Sequence, residues 1–208
     1  LKEFGLGMFL FIISYVLLTA YREFRDNFMP EILKELGYGG QTALFTKTEV
    51  PIAVIVLLLM ASMRLITNHK KAFLLIQSLL LLGAVIIAVS TFLYQIQVIN
   101  PIFWLIGVGF GAYIAYSMCN SLYFERMLAA FKYTATVGFM ITLADYYAYF
   151  GSLGVLFYKN FFQTEMPNVT FFIYTSYFLS GTYFLMVLVS IFYFEKKRKS
   201  FALKNTAI

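Results

Sequence analysis

The sequence predicts an all-α membrane protein with six transmembrane helices. Hydrophobic residues make up 61% of its 208 positions and charged residues only 12%, whereas soluble domains are roughly 45–50% apolar and about 25% charged. The apolar residues also gather into six long, continuous segments. Because a helix that crosses the hydrocarbon core of a bilayer needs about 20 such residues, each segment is long enough to span a membrane.

The six segments are predicted to be helices rather than strands. Each is longer and more continuously apolar than the roughly 10-residue alternating strands of a membrane barrel, and a helix pairs its backbone polar groups within its own segment, as lipid requires. The predicted spans are 4–21, 42–66, 72–94, 101–123, 133–158 and 169–194. Since the loops between them are short, we expect a single six-helix domain over residues 1–208.

Each span has a distinct local sequence. The first ends in the charged stretch AYREFRDNFMPEILKELG, of which we expect the part from Met29 onward to be a solvated loop, and the second leads into the basic turn MRLITNHKKA. The third is a continuous apolar run without a charged residue. The fourth and fifth contain GVGFG and GSLG, and such small residues let membrane helices approach closely. The sixth runs into the basic tail FEKKRKS.

The basic residues predict the orientation. Eleven of the 16 Lys and Arg residues lie on the side that holds both ends of the chain, and five lie on the other side. Basic residues gather in cytoplasmic loops, so we expect both termini in the cytoplasm. The tail is interpreted as an anchor after the last helix, with a patch that binds anionic lipid as the alternative. This distribution predicts a lipid bilayer as partner and no nucleic acid.

Reactive and metal-binding residues are scarce. The chain has one cysteine, Cys119, and one histidine, His69, so neither an intrachain disulfide nor a transition-metal cluster is expected. The sequence contains no HExxH, GxSxG, CxxC or phosphate-binding loop motif. We therefore expect no cofactor, no metal, no catalytic residue and no enzymatic activity. The chain begins at Leu1, and we expect it to be a piece of a longer protein.

Asp145 is the most informative single residue. It lies in the fifth span, 13 residues after Lys132 and 14 before Lys159, and a carboxylate near mid-bilayer costs about 2.5–3.5 kcal/mol on insertion scales. We expect it to face the bundle interior or a water-filled cavity as a proton- or cation-coupling site. The alternative is a fixed structural ion pair or a permanently protonated carboxyl. Tyr149 lies one helical turn further and is expected to share a hydrogen-bond network with it.

The order of these features resembles the C-terminal six-helix half of a major facilitator superfamily transporter, over essentially the whole chain. The first helix of that half often ends in an aromatic–x–Pro–x–x–Leu–x–Glu arrangement followed by glycine, which Phe28, Pro30, Leu33, Glu35 and Gly37 match. The turn after the second helix looks like a degraded form of the family's basic loop, without its Gly and Asp. The stretch SLYFERMLAAFKYTATVGFMITLADYYAYFGSLG is similar to uncharacterised bacterial facilitator-type proteins.

The resemblance implies a role for Arg22. Its position eight residues before Pro30 is similar to that of a phosphate-binding arginine in organophosphate/phosphate antiporters, although other parts of that signature are missing. Arg22, Arg25 and Asp26 share one helical face, and Arg22 and Asp26 are spaced to pair at i, i+4. The alternative is a collar of charges at the outer membrane edge.

Three further residues are candidates for the same site. Glu49, at the outer start of the second helix, is interpreted as a local partner of Lys47. The alternative is that it reaches into the cavity as a partner of Arg22 or as a coupling acid. Tyr113 and Asn120 of the fourth helix are expected to offer polar contacts to a solute. At the cytoplasmic end of the fourth helix, Glu125 and Arg126 are interpreted as a structural latch against Lys132 or against the missing half.

The predicted function is secondary active transport of a small polar solute, anionic if Arg22 faces inward. The resemblance implies an alternating-access mechanism, in which this bundle and an N-terminal six-helix half of the same chain expose a central site to each side of the membrane in turn. It also implies a bacterial cytoplasmic membrane. Two alternatives remain: a non-transporting scaffold or assembly subunit whose charges join helices, and an intramembrane enzyme that uses Asp145.

Overall fold

A computed structural model of the protein describes residues 5–40, 42–133, 135–163 and 165–206, and at residue 42 and residues 198–206 it describes the backbone alone. Within these ranges the chain is helical, without strands. The helices are α1 (Gly5–Asn27), α2 (Met29–Glu35), α3 (Thr42–Met63), α4 (His69–Gln95), α5 (Pro101–Met118), a π-helical segment (Cys119–Tyr123), α6 (Phe124–Phe131), α7 (Val137–Phe161) and α8 (Asn168–Thr206). The side chains of the basic tail from residue 198 lie outside the described residues.

Five of the helical stretches are long and apolar enough to cross a membrane. They are Gly5–Asn27, Ala43–Met63, His69–Gln95, Pro101–Phe131 and Asn168–Lys197. The all-helical prediction is therefore confirmed, and five of the six predicted spans are long and apolar enough to cross a membrane. The exception is α7, which is 25 residues long but carries Asp145 and a run of tyrosines. These side chains make it less apolar than the other five.

Helix α1 holds the bundle together. It packs against α7 on one side and α8 on the other, and it also contacts α5. Helix α4 packs on both α5 and α8, whereas α3 contacts α5 and leaves much of its apolar surface exposed. Three side chains on the inner face of α1 are almost fully buried: Phe11, Tyr15 and Leu18. Helix α1 thus contacts both α5 and α7.

The closest helix contact is between α4 and α5, at two glycines. A Cβ atom on Gly83 would lie 2.6 Å from the carbonyl oxygen of Gly111, and a Cβ on Gly111 would lie 2.6 Å from that of Gly83. Real Cβ atoms do not approach so closely, so both positions require glycine. The close-packing interpretation of GVGFG is confirmed at Gly111.

The stretch from Met29 is a short helix, and the prediction of a solvated loop is wrong there. Met29, Ile32 and Leu33 are buried, because the apolar residues recur at helical spacing and α2 packs them against the bundle. Pro30 occupies the first turn, where a missing backbone N–H costs nothing. The amide N–H of Ile32 still donates to the carbonyl of Phe28, so α2 follows α1 almost without interruption.

Glu35, at the end of α2, caps the start of α8. Its carboxylate accepts hydrogen bonds from the backbone N–H groups of Asn168 (2.9 Å) and Val169 (2.8 Å) and from the Asn168 side chain. These are among the donors that a helix N-terminus leaves unpaired. Although partial burial acts to raise the pKa of Glu35, these hydrogen bonds and the charge of Lys159 lower it overall.

We expect Glu35→Gln to remove a pH-dependent contribution to stability. Because the pKa of Glu35 is lowered in the folded state, its contribution is fully present above its ordinary value near 4.5 and is lost as pH falls through the lowered folded value. The exposed position limits the effect to a few tenths up to about 1 kcal/mol. Thermal unfolding in detergent at pH 6 and at acidic pH measures it. Glu31→Gln, an exposed acid on the same helix, is the control that should change neither curve.

Candidate functional site

Arg25 is the most deeply buried charge of α1, with no solvent-exposed surface. Its Nη2 atom donates to Glu49 Oε1 of α3 at 2.5 Å and to the backbone carbonyl of Leu105 of α5 at 3.3 Å. Its Nη1 atom donates to Asp26 Oδ1 at 3.1 Å. One guanidinium group therefore joins three helices.

Helix α5 makes room for this guanidinium at a glycine. A Cβ atom on Gly109 would lie 2.5 Å from Arg25 Nη2 and 2.9 Å from a methyl carbon of Ile52. Both distances are shorter than real Cβ contacts. GVGFG thus serves two purposes, since Gly111 allows contact with α4 and Gly109 accommodates a buried cation.

Arg22 lies one turn earlier and also faces the bundle. It pairs with the adjacent Glu23 and, at 3.5 Å, with Asp26 Oδ2. Its guanidinium carbon lies 4.2 Å from the ring centroid of Tyr116, within the range of a cation–π interaction. Only 16% of its side chain is exposed. The predicted Arg22–Asp26 pair is present.

Helix α5 and the π-helical segment supply the polar groups opposite these arginines. The Tyr113 hydroxyl donates to Asp26 Oδ2 at 2.9 Å, and the Asn120 side-chain amide donates to the Tyr116 hydroxyl at 3.1 Å. The structure thus places Tyr113 and Asn120 in one network with the arginines. Asn120 lies in the π-helical turn, a local irregularity that often occurs at functional sites.

Asp145 enters the same network through a tyrosine of α1. Its Oδ1 atom accepts a hydrogen bond of 2.5 Å from the Tyr15 hydroxyl. The Tyr15 ring stacks on that of Tyr116, with centroids 5.8 Å apart and planes within 10°. Both partners lie about two turns or more from the ends of their helices. The interior orientation predicted for Asp145 is therefore observed.

Two expected contacts differ in the structure. Tyr149 is 64% exposed, and its hydroxyl makes no hydrogen bond within the described residues, so Tyr15 rather than Tyr149 contacts Asp145. The reason is that Tyr149 projects from the outer face of α7. Glu49 pairs with Arg25 instead of Lys47, because Glu49 points toward α1 whereas Lys47 is exposed.

A small cavity opens beside this network. It has a volume of about 210 Å³ and lies between α2 and the start of α3, with Asp26, Pro30, Tyr38 and Phe45 among its lining residues. Asp26 contacts the cavity and, through its carboxylate, both arginines.

The network holds more negative than positive groups. Near the C-terminal end of α1, the guanidinium groups of Arg22 and Arg25 meet the carboxylates of Glu23, Asp26 and Glu49. The Nε atoms of both arginines are buried without a partner among the described residues. Such groups can exchange ion-pair partners and bind a charged solute. Within the described ranges no group of three or more His, Cys, Asp or Glu residues is placed to hold a metal ion.

Sequence reasoning missed Tyr15 and gave Tyr116 no separate role. One signal was available for Tyr15, which lies seven residues before Arg22 and so shares its helical face. Its contact with Asp145 joins residues 130 positions apart, and helical periodicity says nothing about such a pair.

The fold and this site define an all-helical membrane protein with ion pairs and tyrosines connected inside its bundle. Residues 1–197 match the family of unknown function DUF5690, and the chain belongs to that family. No curated protein and no solved structure matches it.

Proposed function

We propose that this chain is the C-terminal six-helix half of a secondary active transporter of the major facilitator type. The observation that supports the proposal best is the continuous network from Glu49 through Arg25, Asp26 and Arg22 to Tyr116, which Tyr15 extends to Asp145. Ionisable groups inside membrane bundles are costly and usually mark solute or ion pathways. The proposed solute is small and polar.

Arg22 is the group proposed to select the solute. An anionic group of the solute would take the place of Asp26 beside Arg22, because the Arg22–Asp26 contact, at 3.5 Å, is the longer of the two ion pairs of Arg22. Arginine suits this exchange because its planar guanidinium stays charged and binds a phosphate or carboxylate at two points. Arg25 is held by three partners and is proposed to keep its position while Arg22 exchanges.

The exposed surface of α7 is evidence for the proposed second bundle. It exposes an aromatic face that includes Tyr146, Tyr147, Tyr149 and Phe150, and tyrosine hydroxyls are poorly suited to the hydrocarbon core. An N-terminal six-helix half of the same chain would cover this face and complete a central cleft. The protein is proposed to lie in a bacterial cytoplasmic membrane with both termini inside.

A solute screen with the full-length protein in proteoliposomes tests the proposal. The panel contains small phosphate esters, carboxylates, neutral sugars and amines, and the readout is solute-dependent current or lumenal pH. We expect anionic solutes to give the signal and Arg22→Gln to reduce it at least about tenfold, since one lost charge-assisted contact costs about 1.5–3 kcal/mol. Lys34→Gln, an exposed cation of α2, should leave it unchanged.

A scaffold role is the second candidate, favoured by one specific observation. Arg25 is completely buried and joined to α3 and α5, as expected of a charge that only holds helices together. If no solute in the panel produces a signal while the wild-type protein remains folded, the scaffold role is supported and transport is contradicted.

A further inference from the structure

A second polar cavity lies at the opposite end of the bundle, on the side predicted to be cytoplasmic. It has a volume of about 750 Å³ and lies between the end of α3 and the junction of the π-helical segment with α6. Its lining has a polar and an apolar part. The polar part consists of Arg64, Ser121, Glu125 and Arg126, and the apolar part includes Leu57 and Met60 of α3.

Arg126 forms the fixed floor of this cavity. It is 8% exposed, and it donates to the carbonyls of Ile66 (3.2 Å) and Met63 (3.4 Å), beyond and at the end of α3. A third hydrogen bond, of 3.2 Å, joins it to His69 Nδ1. These contacts join Arg126 to the α3–α4 turn, whereas the sequence predicts a latch against Lys132 or the missing half. Its Nε atom is buried and has no partner among the described residues.

The other two charges of the cavity are exposed. Neither Arg64 nor Glu125 is paired with an opposite charge among the residues that the structure describes. The cavity therefore presents two guanidinium groups and one carboxylate without a neutralising partner. A ligand with both an anionic and a cationic group is complementary to this set, whereas a simple anion would be repelled by Glu125.

The apolar part of the cavity points to a lipid. Leu57 is 63% exposed and lies on α3 between the charged end and the apolar middle of a helix that is long enough to cross a membrane. A phospholipid has the same order of chemistry along its length, from the charged headgroup to the acyl chain. Basic groups between helices on the cytoplasmic side are known to bind lipid headgroups.

We propose that this cavity binds a phospholipid whose headgroup carries a phosphate and a primary ammonium. The phosphate is bound by the Arg64 guanidinium and by the unpaired Nε–H of Arg126, and the Ser121 hydroxyl donates a hydrogen bond to it. The carboxylate of Glu125 accepts hydrogen bonds from the ammonium, and an acyl chain lies along Leu57 and Met60. The inference does not depend on the proposed transport activity.

Native mass spectrometry of the full-length protein in detergent tests this site. The protein is mixed with phosphoethanolamine, phosphocholine or phosphoglycerol lipids that have identical acyl chains. We expect the phosphoethanolamine lipid to be retained several-fold better than the other two. A quaternary choline group has no N–H to donate to Glu125, and phosphoglycerol has no cation.

Two variants separate the roles of the charges. Glu125→Gln should abolish the preference for phosphoethanolamine while total phospholipid binding remains, and Arg64→Gln should weaken all three lipids at least threefold. Lys70→Gln removes an exposed charge at the same end of the bundle and should change neither. Both informative side chains are exposed, so their replacement should not unfold the protein.

Three outcomes would overturn the proposal. Equal retention of all three lipids by the wild type excludes headgroup recognition, and an unchanged preference in Glu125→Gln excludes the ammonium contact. Displacement of the lipid by inorganic phosphate plus ethanolamine, at concentrations comparable to that of the lipid, would show that the cavity binds soluble headgroup chemistry rather than a lipid.

Discussion

Replacing Arg25 with methionine is expected to lower the free energy of unfolding by about 3–5 kcal/mol, the usual cost of removing one partner of a buried ion pair. The change leaves the carboxylate of Glu49 without its partner at 2.5 Å and removes the hydrogen bond that Arg25 donates to the carbonyl of Leu105. Unfolding in a denaturing detergent measures the loss. The fluorescence of Trp104, the single tryptophan, which is fully buried beside Leu105, reports on the affected region.

Matched variants identify burial as the reason for this cost. Arg22→Met removes the same group from a position that is 16% exposed and should cost less than half as much. Gly109→Ala disturbs Arg25 without touching its charge, because the new methyl would lie 2.5 Å from its guanidinium, and it should destabilise the protein. Gly154→Ala in α7, where nothing lies within 4 Å, should be neutral or slightly stabilising. A cost below about 1 kcal/mol for Arg25→Met would contradict the structural role of this ion pair.

The fold was predictable because its signals are local. Continuous apolar length alone predicts six helices, and the four-residue spacing of Arg22 and Asp26 predicts their pair. Helix α2 could also have been predicted, since Met29, Ile32 and Leu33 have helical spacing and Pro30 fits a first turn. The high density of charged residues in this stretch favoured the wrong prediction of a solvated loop.

The connections within the site were not predictable in the same way. Each depends on which faces of distant helices meet, as when Glu49 pairs with Arg25 rather than with its neighbour Lys47. The sequence alone allows Glu49 to accept from either donor, Lys47 or Arg25, and the rotation of α3 decides between them. The same applies to Asp145, whose partner Tyr15 lies at the other end of the chain.

Asp145→Asn is expected to abolish proton-driven accumulation of solute in proteoliposomes while leaving solute exchange between the two sides intact. Coupling requires a group that gains and loses a proton, which an amide cannot do. The amide oxygen can still accept the hydrogen bond from Tyr15, so the packing of α1 on α7 is preserved. Accumulation driven by an imposed pH gradient and counterflow exchange at equal pH are the two measurements. Glu31 is an exposed acid outside the network, so Glu31→Gln should retain both accumulation and exchange.

Tyr15→Phe tests whether Asp145 acts through its hydrogen bond. The variant keeps the ring that stacks on Tyr116 and removes only the hydroxyl that donates to Asp145. We expect it to reduce accumulation partially, because the carboxyl remains but loses the partner that orients it. In the Asp145→Asn background the same change should have no further effect on accumulation, since the proton-carrying group is already absent. Full accumulation by Asp145→Asn would instead mean that the carboxyl is only a structural acceptor for Tyr15. The coupling role would then be excluded, and the structural contact between α1 and α7 would remain.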